Sequence, residues 1–402
     1  MRRAAPLLLA TGWILVAPLG GAPSDTVEFK GAPGTVTPNL AVGASGRTIL
    51  TWLEPNPAGS ATLRFAVRTA GRWSAPATIV ESDRFFVNWA DFPSLIETAD
   101  GQWVVHFLEK TEAKPYAYHV RLMTSKDQGR TWSAPSTAHD DTSPTEHGFV
   151  AMVPRPEAGA DLVWLDGRAM GSPEGGPMSV RTRSITSAGK LGTETELDGR
   201  SCECCQATMA RTPDGLVAAY RDRSDDEVRD IAVVRQVGGR WTEPTIVAAD
   251  GWVHRACPVN GPSLAADGRD VALTWYTGVG DTPHVYTVLS HDGGATFGPR
   301  VQVNEGVTLG RVASVGLGDG AFAAVWLEDA GEGQAVWRLR RIDRSGRAGP
   351  ARDVETVTRA RLAGFPRIVR SGTEILLTFT ASGADGGVRV YRVAPPPANP
   401  GS

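Results

Sequence analysis

The sequence predicts an all-β protein, a seven-bladed β-propeller of four-stranded blades, with a six-bladed ring as the alternative. Three observations carry this. Aromatic residues lead a short apolar phrase at positions 52, 107, 164, 220, 275, 326 and 379, at spacings of 55, 57, 56, 55, 51 and 53 residues. A fixed period of this length marks a propeller or a similar array. Glycines 71, 129, 189, 239, 294 and 346 stand in turns 58, 60, 50, 55 and 52 residues apart, so a second feature keeps the same period. No stretch sustains helical periodicity, whereas Leu63, Phe65 and Val67 alternate with Arg64, Ala66 and Arg68 in the period of two that a strand requires.

The elements of one repeat follow in order. A short leading strand comes first, as in Pro38-Asn39-Leu40-Ala41-Val42 or Pro262-Ser263-Leu264-Ala265. A turn rich in Gly or Asp follows, Ala44-Ser45-Gly46 or Ala266-Asp267-Gly268. The aromatic strand is next, clearest in Trp326-Leu327-Glu328, Trp52-Leu53-Glu54 and Trp164-Leu165-Asp166. A variable loop, an alternating third strand, a tight turn and a fourth strand such as Ala77-Thr78-Ile79-Val80 complete the unit. Seven aromatic strands face only six third turns followed by a fourth strand, because the last repeat ends at Val388–Val393. An orphan strand, Thr26-Val27-Glu28-Phe29, precedes the first repeat and is expected to complete the seventh blade, since a closed ring leaves no open sheet edge.

Two of the third turns are octapeptides. Ser125-Lys126-Asp127-Gln128-Gly129-Arg130-Thr131-Trp132 reads S-x-D-x-G-x-T-W, and Ser290-His291-Asp292-Gly293-Gly294-Ala295-Thr296-Phe297 reads S-x-D-G-G-x-T-F. Asp accepts backbone N–H bonds within its own turn and Gly takes positive φ. Both octapeptides resemble the Asp boxes, or bacterial neuraminidase (BNR) repeats, of the sialidase-like superfamily. The resemblance implies the propeller and a box joining the third and fourth strands of a blade. It also implies, for enzymes of the superfamily, an arginine triad, a Tyr nucleophile paired with Glu, and an Asp acid/base. The Arg-Ile-Pro type motif that would carry the first arginine is replaced by Pro38-Asn39-Leu40, and Tyr220 and Tyr276 fall at or beside core aromatic positions, so no catalytic assignment is carried over.

Composition bounds the rest. The chain has 402 residues, 41% hydrophobic and 21% charged, with 46 Gly and 28 Pro, as befits a turn-rich soluble β protein. Arg2 and Arg3, an apolar run from Pro6 to Ala17, and Gly20-Gly21-Ala22 read as a signal peptide cleaved after Ala22. The expected domains are residues 1–22 as signal peptide, 23–394 as one propeller and 395–402 as a disordered Pro-rich tail. Removing two arginines takes the net charge from −3 to −5, so nothing suggests nucleic acid. The expected mature protein is periplasmic or secreted, monomeric and without a membrane span.

Export changes how the cysteines are read. All four, Cys202, Cys204, Cys205 and Cys257, lie in two consecutive between-blade loops. One reading is disulfides, with Cys257 bridged to the cluster and the other two paired locally. The other is a thiolate site for Cu(I) or zinc completed by His254 or His147. Candidate catalytic groups are Asp91, Asp166, Asp222, Glu328 and Arg311, all on the face opposite the octapeptide turns, where two carboxylates could flank a glycosidic bond. The rim acids also read as repeat ancestry paired with nearby arginines, and Trp89 and Phe149 as a plug at a blade junction. The functional expectation is a propeller that binds or processes glycans at the channel mouth, as a glycoside hydrolase of exo-α-sialidase type if an enzyme. The alternatives are a Cys/His metal-binding propeller and a disulfide-stapled interaction scaffold.

Overall fold

The computed structural model describes residues 25–397, so the signal-peptide reading and residues 398–402 of the tail lie outside the described residues. Seven antiparallel sheets follow one another along the chain. Blade 1 runs from its inner strand Val36–Val42 through Thr48–Pro55 and Ala61–Thr69 to the outer strand Ala77–Ser82, and the other blades repeat this order. Helix among the described residues is confined to three short 3-10 turns, at Arg168–Gly171, Val279–Asp281 and Arg361–Ala363.

Each second strand is apolar on both sides because a blade is covered by neighbours on both faces. Trp52, Phe107, Trp164, Tyr220, Trp275, Trp326 and Phe379 are all at most 2% exposed. The acid two residues later shares the aromatic's side of the strand, and its use is structural. Asp166 Oδ2 accepts the Trp164 indole N–H at 2.9 Å, and Glu328 Oε2 accepts that of Trp326 at 2.8 Å. The same acids pair with arginines: Glu54 with Arg64, Glu109 with Arg121, Asp166 with Arg168 and Glu328 with Arg338.

The ring closes as the strand count requires. Thr26–Lys30 pairs antiparallel with Val388–Val393 as the outermost strand of blade 7, with Thr26 opposite Arg392 and Lys30 opposite Arg389. Phe29 reaches blade 1, with ring centroids 5.2 Å from Trp52 and 5.6 Å from Trp73. Arg68 of blade 1 is 5% exposed and is held between Glu28 at 2.7 Å and Glu374 of blade 7 at 2.8 Å. A buried guanidinium facing two carboxylates is expensive to break on one side only.

The two octapeptide turns are built alike. Thr131 donates its N–H and hydroxyl to Asp127 at 2.9 and 2.6 Å, and Thr296 does the same to Asp292 at the same distances. These bonds, the Thr131 hydroxyl's first, hold the Asp127 carboxyl down at about 2. Gly129 has φ +81°, and a Cβ there would lie 2.6 Å from the Phe65 ring of blade 1, so this glycine also admits the neighbouring blade.

Removing residues 25–30 is expected to lower the urea midpoint and produce edge-driven aggregation visible by light scattering; an unchanged midpoint would show that closure lies elsewhere. Trp326→Ala should cost about 3–5 kcal/mol in the same assay, as for other buried tryptophans.

Candidate functional site

The inner strands of all seven blades line a central channel of ≈ 320 Å³, with Asn39, Ser94, Val150, Thr208, Ser263, Ser314 and Arg367 among its walls. Its mouth on the between-blade face is closed by the chain itself. The segment Asn88–Phe92, which links blades 1 and 2, touches four other blades. Its Asp91 carboxylate accepts the Phe149 N–H of blade 3 at 2.6 Å, and its Ala90 carbonyl accepts the Gln206 side-chain N–H of blade 4 at 2.6 Å. Trp89 stacks on Phe365 at 5.5 Å and lies under the guanidinium of Arg311 at 4.9 Å, while Arg367 lies 4.2 Å over Phe92. One connection that reaches blades 3, 4, 6 and 7 must cross the axis. The channel mouth where the sequence places a site is therefore covered, and Trp89 and Phe149 are part of the cap.

Backbone strain gathers at the same level. Thr37, Phe149, Val259 and Arg311, at the leading ends of inner strands, have φ of 53°, 54°, 47° and 51°. Thr37, Phe149 and Arg311 fall within register shifts, so these strands begin with bulges. Positive φ in β-branched residues is a genuine outlier, and such strain clusters at functional sites.

Beside the cap, off the channel axis, three ionisable groups meet. Tyr118 begins the third strand of blade 2 and is fully buried, with Phe86 stacked on its ring at 3.9 Å. Its hydroxyl donates to Glu146 Oε1 in a short hydrogen bond. Asp91 completes the group. A Cβ at Gly148 would lie 2.3 Å from Asp91 Oδ2 and 3.0 Å from the Tyr118 ring, so only glycine lets the two converge. Burial pushes the Asp91 carboxyl up to about 7, aided by the Glu146 charge and opposed by the Phe149 N–H and Arg367. Burial likewise pushes Glu146 up to about 7 against the Tyr118 bond. Burial and then Asp91 pull opposite ways on Arg367, which comes down to about 10. His106, fully buried nearby, is held at about 3 by burial and Arg367, and neither ring nitrogen has a hydrogen-bond partner.

The structure disperses the other candidates. Asp166 and Glu328 are saturated by the tryptophan and arginine partners already described. Asp222 sits by Asp198 and Asp230, where burial first and those charges next raise its carboxyl. Arg311 spends its guanidinium on the carbonyls of Arg359, Ala360 and Gly364. Arg221 and Arg223 do not pair with rim acids of the repeat: Arg221 donates to the carbonyls of Asn260 and Tyr276, and Arg223 pairs with Glu203 and Glu227. Tyr118, Glu146 and Gln206 carry no shared signal in the sequence, because they belong to three repeats and have no local spacing in common.

Cys204 and Cys257 form a disulfide that joins the loops leading into blades 4 and 5. Cys202 and Cys205 are free and buried, with sulfurs 3.2 Å apart, and Cys202 Sγ is 3.9 Å from Cys204 Sγ. The Cys205 thiol, with Arg221 and Arg229 nearby, brings Cys202 down to about 6 against its burial. The mixed Cys/His metal set is not assembled. His254 stacks on Trp252 at 4.8 Å, and His147 clusters instead with His119 and His139. Iodoacetamide should leave the folded chain unmodified, add two groups to the unfolded unreduced chain, and add four after reduction. No addition before reduction would reveal a second bridge, between Cys202 and Cys205.

No protein-family model matches the sequence, and no curated protein matches it. Solved structures do match. An ulvan lyase, a polysaccharide lyase, is 11% identical with a TM-score of 0.55, over 92% of this chain and 96% of its own. A protein of unknown function from Dyadobacter fermentans is 14% identical with a TM-score of 0.51, over 92% of this chain and 98% of its own. The intramolecular trans-sialidase from Ruminococcus gnavus is 11% identical with a TM-score of 0.47, over 91% and 96%. At such identities the likeness is one of fold: the chain is a seven-bladed β-propeller.

Proposed function

We propose that this chain is an exported, monomeric propeller that processes glycans by acid–base chemistry at Tyr118, Glu146 and Asp91, beside the capped channel. The observation that carries the reading is a buried phenol that donates to the Glu146 carboxyl and shares the space over Gly148 with the Asp91 carboxyl, three groups from three separate chain segments. A general acid or base must stand within hydrogen-bond reach of the proton it transfers, and the Tyr118–Glu146 pair can relay a proton between substrate and carboxyl. The residue types are those the superfamily resemblance implies, a tyrosine with a glutamate and an aspartate, although they come from other places in the ring. Phe86, stacked on Tyr118, and the half-exposed Val87 beside it offer an apolar platform of the kind that packs on a sugar face. Arg361, exposed at the edge of the cap and 5.7 Å over the Trp89 ring, favours an anionic glycan. That an ulvan lyase shares the fold supports the substrate class. The signal-like N-terminus and the Cys204–Cys257 bridge support export.

The test is turnover on aryl glycosides, sialosides and uronate-containing polysaccharides. Tyr118→Phe and Glu146→Gln should each lower turnover by at least about 100-fold with the fold retained, the usual worth of a positioned acid or base. Turnover equal to that of the wild type in both variants, or none on any substrate in the wild type, overturns the enzymatic reading. Saturable glycan binding without turnover would leave the alternative of a binding propeller.

A further inference from the structure

On the opposite side of the strands that carry Tyr118 and Glu146 lies a second cluster. Tyr118 and Glu146 are bridged in parallel, and successive residues of an extended chain point to opposite sides, so His119 and His147 share the side away from the phenol. His139, from the connection between blades 2 and 3, joins them. Its ring is stacked on that of His147 at 3.8 Å and 8°, and His119 stands perpendicular to both, with centroids at 4.6 and 5.1 Å. One ligand nitrogen from each of the three lies within 4.8 Å of the others. His139 is 4% exposed and His147 is fully buried.

The hydrogen bonds show which nitrogen of each ring carries the proton. His139 Nδ1 is 2.9 Å from the Asp141 carbonyl, His119 Nε2 is 3.0 Å from the Ser143 carbonyl, and His147 Nδ1 is 3.1 Å from the Thr145 carbonyl. A carbonyl only accepts, so each of these nitrogens carries the ring's proton. Alternate residues of one loop thus fix the tautomer of three imidazoles. The remaining nitrogens, His119 Nδ1, His139 Nε2 and His147 Nε2, are lone pairs. His139 Nε2 and His147 Nε2 are buried without a hydrogen-bond partner. Two carboxylates face the same point: Asp141 Oδ2 is 3.0 Å and Asp166 Oδ1 3.6 Å from His147 Nε2. Ser143 donates to Asp141 Oδ2 and Arg168 to Asp166 Oδ1, but no donor reaches His139 Nε2 or His147 Nε2, and a cation would supply the partner both lack. Backbone carbonyls behind the ligating imidazoles are the usual outer layer of a metal site.

We infer that His119, His139 and His147 form a binding site for a divalent metal ion of the zinc type, with Asp141 as the carboxylate neighbour. Three neutral imidazoles and one carboxylate form a set that zinc accepts in tetrahedral geometry. The ion ties the connection between blades 2 and 3 to the third strand of blade 2, directly behind Glu146. The site is separate from the cysteine cluster and does not depend on the proposed activity, because it is read without substrate.

The experiment uses the full chain stripped of metal by a chelator, then titrated with Zn²⁺ and, in parallel, with Co²⁺. One equivalent of zinc should bind and raise the melting temperature. X-ray absorption of the zinc-loaded wild type should show nitrogen and oxygen neighbours with imidazole scattering and no sulfur. His119→Ala and His139→Ala should weaken zinc at least roughly 100-fold, no less than the loss seen when a supporting partner is removed. Cys202→Ser with Cys205→Ser should leave zinc binding unchanged. The inference falls if the wild type takes up neither ion, if sulfur appears in the first shell, or if the folded histidine variants bind as the wild type does. Should those variants fail to fold, the absorption spectrum of the wild type alone decides between imidazole and thiolate.

Discussion

A blade that is apolar on both faces cannot stand alone, and everything else in this molecule follows from that. Each of the seven sheets buries a large aromatic residue in its second strand against its neighbours, so the sheets must stack, and stacking with a constant twist must close or leave two raw faces. Closure falls to one short strand, Thr26–Lys30, which adds main-chain bonds to blade 7 while Phe29 packs on Trp52 and Trp73 of blade 1. Arg68 clamps the same seam between Glu28 and Glu374. The ring in turn defines an axis, and at the axis loops from non-adjacent blades meet.

That meeting place is used differently from what loop positions alone suggest. The Asn88–Phe92 connection spends its Trp and Phe on covering the axis, with Arg311, Phe365 and Arg367 as its seat. The ionisable groups then gather to one side, where Gly148 lets Asp91 and Tyr118 approach and where burial raises two carboxyl groups together. The bulged, positive-φ starts of the inner strands hold these loops in place. Strain of this kind persists only where surrounding structure over-determines it, and the cap supplies that surrounding structure.

The fold was legible in the sequence because it repeats. Trp326 and its six counterparts are core, the orphan strand is the latch, and Asp127 and Asp292 organise their turns as their spacing implies. Linking Cys257 to the cysteine cluster was legible too, since cysteines in consecutive loops have few partners. The site was not. Rim acids such as Asp166 and Glu328 look chemically available in a sequence, yet Trp164 and Trp326 aim their indole N–H groups at them and arginines take their remaining oxygens. Asp91, Tyr118 and Glu146 come from three stretches with no common spacing. The three histidines are likewise scattered, and only the register of two strands and the carbonyls of one loop bring their rings together.

The latch also has a kinetic meaning. Thr26 pairs with Arg392, so nearly the whole described chain lies between the two strands that complete blade 7. Blades can form one after another from local hairpins, but the last sheet must wait for both ends of the chain, and pairing across so long a loop is slow. Until then Val388–Val393 offers a bare strand edge to any other chain. The molecule is therefore most exposed to misassembly at the end of folding, and the seam between blades 7 and 1 is where its folded lifetime is decided.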